Sequence, residues 1–94
     1  MDHLPTIELL ENAHTFPGPY MFKVIGKADG NLLARTVASV RMELGLETDP
    51  PFRVRESVGG RHVAITLEPF VASATQVLAV YRRLKATEGI MLLW

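Results

Sequence analysis

The stretch FRVRESVGGRHVAITL, residues 52 to 67, decides how the chain folds. Phe52, Val54, Glu56 and Val58 alternate with Arg53, Arg55 and Ser57, the two-residue period of a strand that turns one face to a core. Gly59 and Gly60 supply the positive φ angles of a tight hairpin. The return run sets Val63, Ile65 and Leu67 on one face and His62, Ala64, Thr66 and Glu68 on the other. Two antiparallel strands are therefore expected mid-chain, and what flanks them sets the architecture.

Upstream, Tyr20, Phe22, Val24 and Gly26 alternate with Met21, Lys23, Ile25 and Lys27, which predicts a first strand. Leu33, Val37, Val40 and Leu44 then form a helical stripe, with Asp29 or Asn31 as cap and Gly45 and Leu46 as a left-handed close. ETDPP at 47 to 51 is a loop, because neither proline can donate to a ladder. Downstream, Pro69 ends the hairpin and SATQ at 73 to 76 is a capping box opening a second helix. Its inward stripe is Ala74, Val77, Leu78, Tyr81 and Leu84. After Gly89, IMLLW is a continuous apolar strand expected to be buried on both faces. The order is β-α-β-β-α-β. With right-handed crossovers it predicts an α+β, ferredoxin-like sandwich, a four-stranded antiparallel sheet in order 4-1-3-2 with two helices on one face. Residues 1 to 19, holding Pro5, Pro17 and Pro19 without a sustained period, read as an N-terminal arm, and residues 20 to 94 as the single domain.

Ninety-four residues, 48% apolar and 21% charged, suit one globular core. Ten basic and ten acidic residues cancel, so the chain as a whole has no field to draw in nucleic acid or an anionic membrane. The absence of cysteine excludes disulfides, thiolate catalysis and cysteine-ligated metals. Asp2, Glu8 and Glu11 interrupt the beginning of the chain, which shows neither a basic nor a long apolar segment of a secretion signal. A cytoplasmic protein without cofactor is expected.

Three stretches carry a resemblance: FPGPYMFKVIGKADG at 16 to 30, VAITL at 63 to 67, and LAVYRRLKATEGIMLLW at 78 to 94. Together they resemble the YbeD-like family of small uncharacterised bacterial proteins. The strongest piece is the quartet Lys23 to Gly26, supported by the spacing of Leu78, Tyr81 and Leu84. The resemblance implies a ferredoxin-like fold similar to the ACT regulatory domain, and no established reaction. It also implies a polar outer face on the last strand, where this chain has Met91 and Leu93.

Two places are candidates for function. The loop of Gly26, Lys27, Asp29, Gly30 and Asn31 leads into a helix start, where free backbone N–H groups can hold an anion, and ACT domains bind small effectors such as amino acids in this region. The plainer account is a turn and a cap, and Asp29 repels anions. The second candidate is the open sheet face. There the predicted order places Met91 and Leu93 beside Met21, Lys23 and Ile25, then His62, Ala64 and Thr66, then Arg53 and Arg55 on an edge. An apolar patch of this kind marks a protein contact or self-association into a homodimer, unless Ile7, Leu9 and Leu10 of the arm fold back over it.

Other chemistries fit less well. RNA-recognition domains of the same fold stack bases on aromatics of the central strands, and none is expected there, so Arg53 and Arg55 read as a solvated edge that discourages strand addition. Acylphosphatases need an arginine in the first loop, and the first one after that strand is Arg35, inside the helix. His3, His14 and His62 lack metal-ligand spacing. The sequence therefore predicts a small non-catalytic regulatory or protein-interaction module acting through the open sheet face. The alternative is an ACT-like sensor of an amino acid or organic acid at the first strand-helix loop.

Overall fold

The computed structural model describes residues 4 to 57 and 59 to 94; Asp2, His3 and Val58, named above, lie outside the described residues. The elements are α1 (Ile7–Ala13), β1 (Gly18–Pro19), β2 (Phe22–Lys27), α2 (Leu32–Leu44), β3 (Phe52–Glu56), β4 (His62–Leu67), β5 (Phe70–Val71), α3 (Ala74–Lys85) and β6 (Ile90–Leu93). The chain is an α+β domain with a helix layer against an antiparallel sheet of four strands, ordered β3-β4-β2-β6.

Local chemistry accounts for the element ends. Gly45 closes α2 at φ 64°, and the N–H of Leu46 donates to the carbonyl of Arg41 at 3.0 Å, the Schellman arrangement that satisfies a terminal helix carbonyl. The Ser73 hydroxyl caps α3 by accepting from the N–H of Gln76, whose own side chain accepts from the N–H of Ala72 at 2.7 Å. Gly59 and Gly60 both have positive φ in the hairpin turn, and the N–H of Gly60 donates to the Ser57 carbonyl at 2.9 Å.

Phe22 and Val24 from β2, Val63, Ile65 and Leu67 from β4, and Leu93 from β6 meet Leu32, Val37 and Val40 of α2 and the whole expected stripe of α3 in one core. Hydrophobic burial of these side chains, at roughly 1.5–3 kcal/mol each, is what holds the layers together. The core also contains a polar contact: the Tyr20 and Tyr81 hydroxyls lie 2.9 Å apart, with the Phe22 ring edge-on to Tyr81.

Three expectations need correction. Phe52 and Val54 do not enter the core but are 43% and 44% exposed, because the helix layer stops short of the edge strand β3. The last strand is not buried on both faces, since Met91 and Leu92 are open to solvent. The expected arm is structured. Thr6 caps α1, Leu10 is buried, α1 packs against α3, and β1 pairs with β5 as a small second sheet. His14 lays its ring against Tyr20 with centroids 4.8 Å apart. The N-terminal segment thus completes the helix side of the domain.

Candidate functional site

The opposite face of the sheet follows from strand register. Lys23 stands beside Thr66, and Thr66 beside Arg53; Ile25 stands beside Ala64, and Ala64 beside Arg55. On the other flank, Lys23 and Trp94 exchange main-chain hydrogen bonds in both directions, at 2.6 and 2.9 Å, so their side chains share the open face. Leu92 stands beside Ile25. Two rows result, Trp94-Lys23-Thr66-Arg53 and Leu92-Ile25-Ala64-Arg55, with Lys27 and His62 paired beyond them. Between the rows runs an open trough of about 440 Å³, lined on its floor by Ile25, Ala64 and Thr66 and on its rims by Lys23, Arg53, Arg55 and Trp94.

This placement corrects the last strand. Leu93 was expected on the open face but is in the core, only 4% exposed, beside Val24. The cause is a bulge. The β2-β6 register slips between Ile25 and Gly26, so that Ile25 opposes Leu92 while Gly26 opposes Ile90, and Met91 is the extra residue. A Cβ at Gly26 would collide with the Gly89 carbonyl and with Leu32, so glycine is what lets the two backbones approach. Met91 remains exposed; Leu92 and Trp94 take the positions expected for Leu93 and its neighbour. The open face therefore has an aromatic after all. The register puts Lys23, Ile25, His62, Ala64 and Thr66 on this face, and Met21, exposed, directly precedes β2.

The face is also electrostatically one-sided. Lys23, Lys27, Arg53 and Arg55 point out of it, and among the described residues none of the four forms an ion pair. The only carboxylate of the β4 outward row is Glu68, at its end. No described segment of the chain lines the trough other than the sheet strands and Trp94.

The loop at Gly26 to Asn31 has a different character. Asp29 accepts from the N–H of Asn31 at 2.9 Å and from the Arg35 guanidinium at 2.6 Å. These two contacts hold its carboxyl below the usual carboxylate range. Arg35 also donates to the Glu88 carbonyl at 3.1 Å, tying the loop to the turn before β6. Gly30, at φ 86°, makes the turn. Asn31 occupies the N-cap position without a side-chain cap bond. Lys27 is exposed, and its N–H is spent on the Gly89 carbonyl. The Asp29 carboxylate, the Arg35 guanidinium and the N–H of Lys27 are thus engaged in joining β2, α2 and β6. Among the described residues, no group of three or more histidine, aspartate or glutamate side chains is placed to hold a metal ion, and no helix is long and apolar enough to cross a membrane.

Comparison with known proteins agrees with the resemblance carried by the sequence. A family profile described as "Protein of unknown function (DUF493)" matches residues 11–93. A protein of Shewanella amazonensis (strain ATCC BAA-1098 / SB2B) described as "UPF0250 protein" is 32% identical over 75 residues, covering 80% of this chain and 83% of that protein. The chain belongs to the DUF493 family, the UPF0250 or YbeD-like proteins.

Proposed function

We propose that this ferredoxin-like sandwich is a non-catalytic module that binds, and thereby regulates, another protein through its open sheet face. The observation that carries the reading is the composition of that face. Trp94 and Leu92, 46% and 52% exposed, stand at one end of the two rows beside Lys23 and Ile25, with Arg53 and Arg55 at the other end, and Met21, 45% exposed, directly precedes β2. Tryptophan, methionine and arginine are the types enriched where protein interfaces are energetically concentrated, and a contiguous apolar patch left to water marks a contact surface. The charge favours a different protein over a second copy. Face-to-face association of two copies would enclose Lys23, Arg53 and Arg55 of both with no side-chain carboxylate of the two rows to pair them, and burying unpaired like charges costs free energy. A partner bringing carboxylates around an apolar centre meets both demands.

A photocrosslinker at Ile25, on the open face, and another at Met42, exposed on α2, test this in cells of the native host. A protein adduct at position 25 that is absent at position 42 and lost on Leu92→Lys supports the reading. Equal adducts at both positions, no adduct at position 25, or an adduct that nuclease digests would overturn it. Effector sensing at the Asp29 loop would show instead as a melting shift with an amino or organic acid.

A further inference from the structure

The sheet ends at β3, and the alternation of hydrogen bonds shows what that end offers. The N–H of Glu68 donates to the Pro51 carbonyl at 3.0 Å and the N–H of Ser57 to the His62 carbonyl at 2.9 Å. Residues 51, 53, 55 and 57 therefore direct their main-chain groups to β4. In an antiparallel ladder the residues between them direct theirs the other way, so Phe52, Val54 and Glu56 turn N–H and carbonyl groups to the free edge. The β3-β4 register contains no bulge, and no proline stands between 52 and 56, so the usual devices that blunt an edge strand are missing apart from charge. Both surfaces of the strand are open. Phe52 and Val54 are 43% and 44% exposed on the helix side, and Arg53 and Arg55 are exposed on the other.

We propose that β3 accepts an extended segment of another protein as a fifth strand, and that this segment alternates apolar residues with aspartate or glutamate. Its main chain would satisfy the outward groups of Phe52 and Val54, its apolar side chains would cover those two residues, and its carboxylates would stand across from Arg53 and Arg55. The arginines select the occupant. In a two-fold pairing of β3 with a second copy, an axis at Val54 sets Arg53 opposite Arg55, and an axis one residue to either side sets an arginine opposite itself. Each of these three registers, which overlap the most of the strand, places like charges at the closest cross-strand distance. The cations thus discourage the chain's own edge and admit an acidic one. The site shares Arg53 and Arg55 with the open face but uses neither Trp94 nor Ile25, so protection of β3 amides and not of β2 separates it from the open-face reading.

The test uses two labelled synthetic peptides, one alternating valine with glutamate and the other valine with lysine, followed by fluorescence anisotropy and by amide exchange in NMR. Expected are saturable binding of the glutamate peptide alone and slowed exchange of the Phe52, Val54 and Glu56 amides. Val54→Pro removes an outward donor without touching the β4 ladder, and should weaken binding about tenfold, as for one lost hydrogen bond. The pair Arg53→Glu and Arg55→Glu should transfer the preference to the lysine peptide, and Met42→Ala, at an exposed position on α2, should leave the affinity within about twofold, as expected for a site without direct contact. No saturable binding, equal binding of both peptides, protection on β2 in place of β3, or insensitivity to Val54→Pro would overturn the proposal.

Discussion

The bulge in β6 can be tested by truncating two neighbouring leucines. Leu93 is 4% exposed in the core beside Val24, and Leu92 is 52% exposed on the opposite face. Truncating a buried leucine costs about 2–5 kcal/mol, the spread depending on how far the site can collapse. β6 is an edge strand at the end of the chain, so its surroundings can relax and the lower part of that range applies, about 2–3 kcal/mol for Leu93→Ala. In a domain of this size each kcal/mol moves the melting temperature by about 4–8 °C, which places the Leu93→Ala midpoint about 8–24 °C below the parent. Leu92→Ala removes a half-exposed side chain and should stay within about 0.5 kcal/mol. Thermal melts followed by far-UV circular dichroism read both. Without the bulge the strand would alternate uninterrupted and the pattern would reverse. A stable Leu93→Ala beside a destabilised Leu92→Ala would therefore refute the register, and with it the place of Trp94 on the open face.

Thr36→Val should stabilise the domain by about 1 kcal/mol, because the Thr36 hydroxyl is buried without a hydrogen-bond partner and valine fills the same space; a lowered urea midpoint would contradict this. Gly26→Ala should destabilise by about 2–3 kcal/mol, since the new methyl meets the rigid Gly89 carbonyl, and an unchanged urea midpoint would show that the approach of β6 is looser than described. Burial, reinforced by the hydrogen bond with Tyr20, pushes the Tyr81 phenol well above its ordinary value of 10.0. The folded state then holds a proton that the unfolded chain releases near pH 10.0, so this contribution is complete below that pH and is lost as pH rises above it. Tyr81→Phe should flatten the alkaline loss of stability; an equally steep loss in the variant would assign it to other groups.

What was legible in the sequence was whatever repeats. The alternation of Phe22 and Val24, of Val63 to Leu67, and the α3 stripe from Ala74 to Leu84 each fix a face, because a slip of one residue would expose the whole set. IMLLW offered no such choice: five apolar residues in a row are compatible with either register, and the bulge that decides between them depends on Gly26, some sixty residues earlier. A glycine inside a strand was the available signal. Phe52 and Val54 have the right period, yet periodicity says which residues share a face and not whether a helix reaches over it. The N-terminal segment was opaque for a related reason. A seven-residue helix is not stable by itself, and its order comes from Leu10 and Phe16 packing on the core and from the His14 ring lying against Tyr20.

The charge balance shows how a whole-chain quantity conceals a local one. Arg35, Arg41 and Arg83, all on α2 or α3, are each matched by a carboxylate, Asp29, Asp49 and Glu43 respectively. Exposed pairs of this kind add little stability, but each cancels the charge of one helix arginine. The carboxylates spent there are not available to the sheet, and Lys23, Lys27, Arg53 and Arg55 are left facing outward together. Ten positive and ten negative charges thus sum to zero while one face is cationic. Beyond roughly 8 Å at physiological salt the field is screened and the chain behaves as neutral, so the zero sum governs long-range attraction only. At contact an acidic partner of the kind proposed would meet the local arrangement, and its binding to this face should weaken as salt is raised while a purely apolar contact would not.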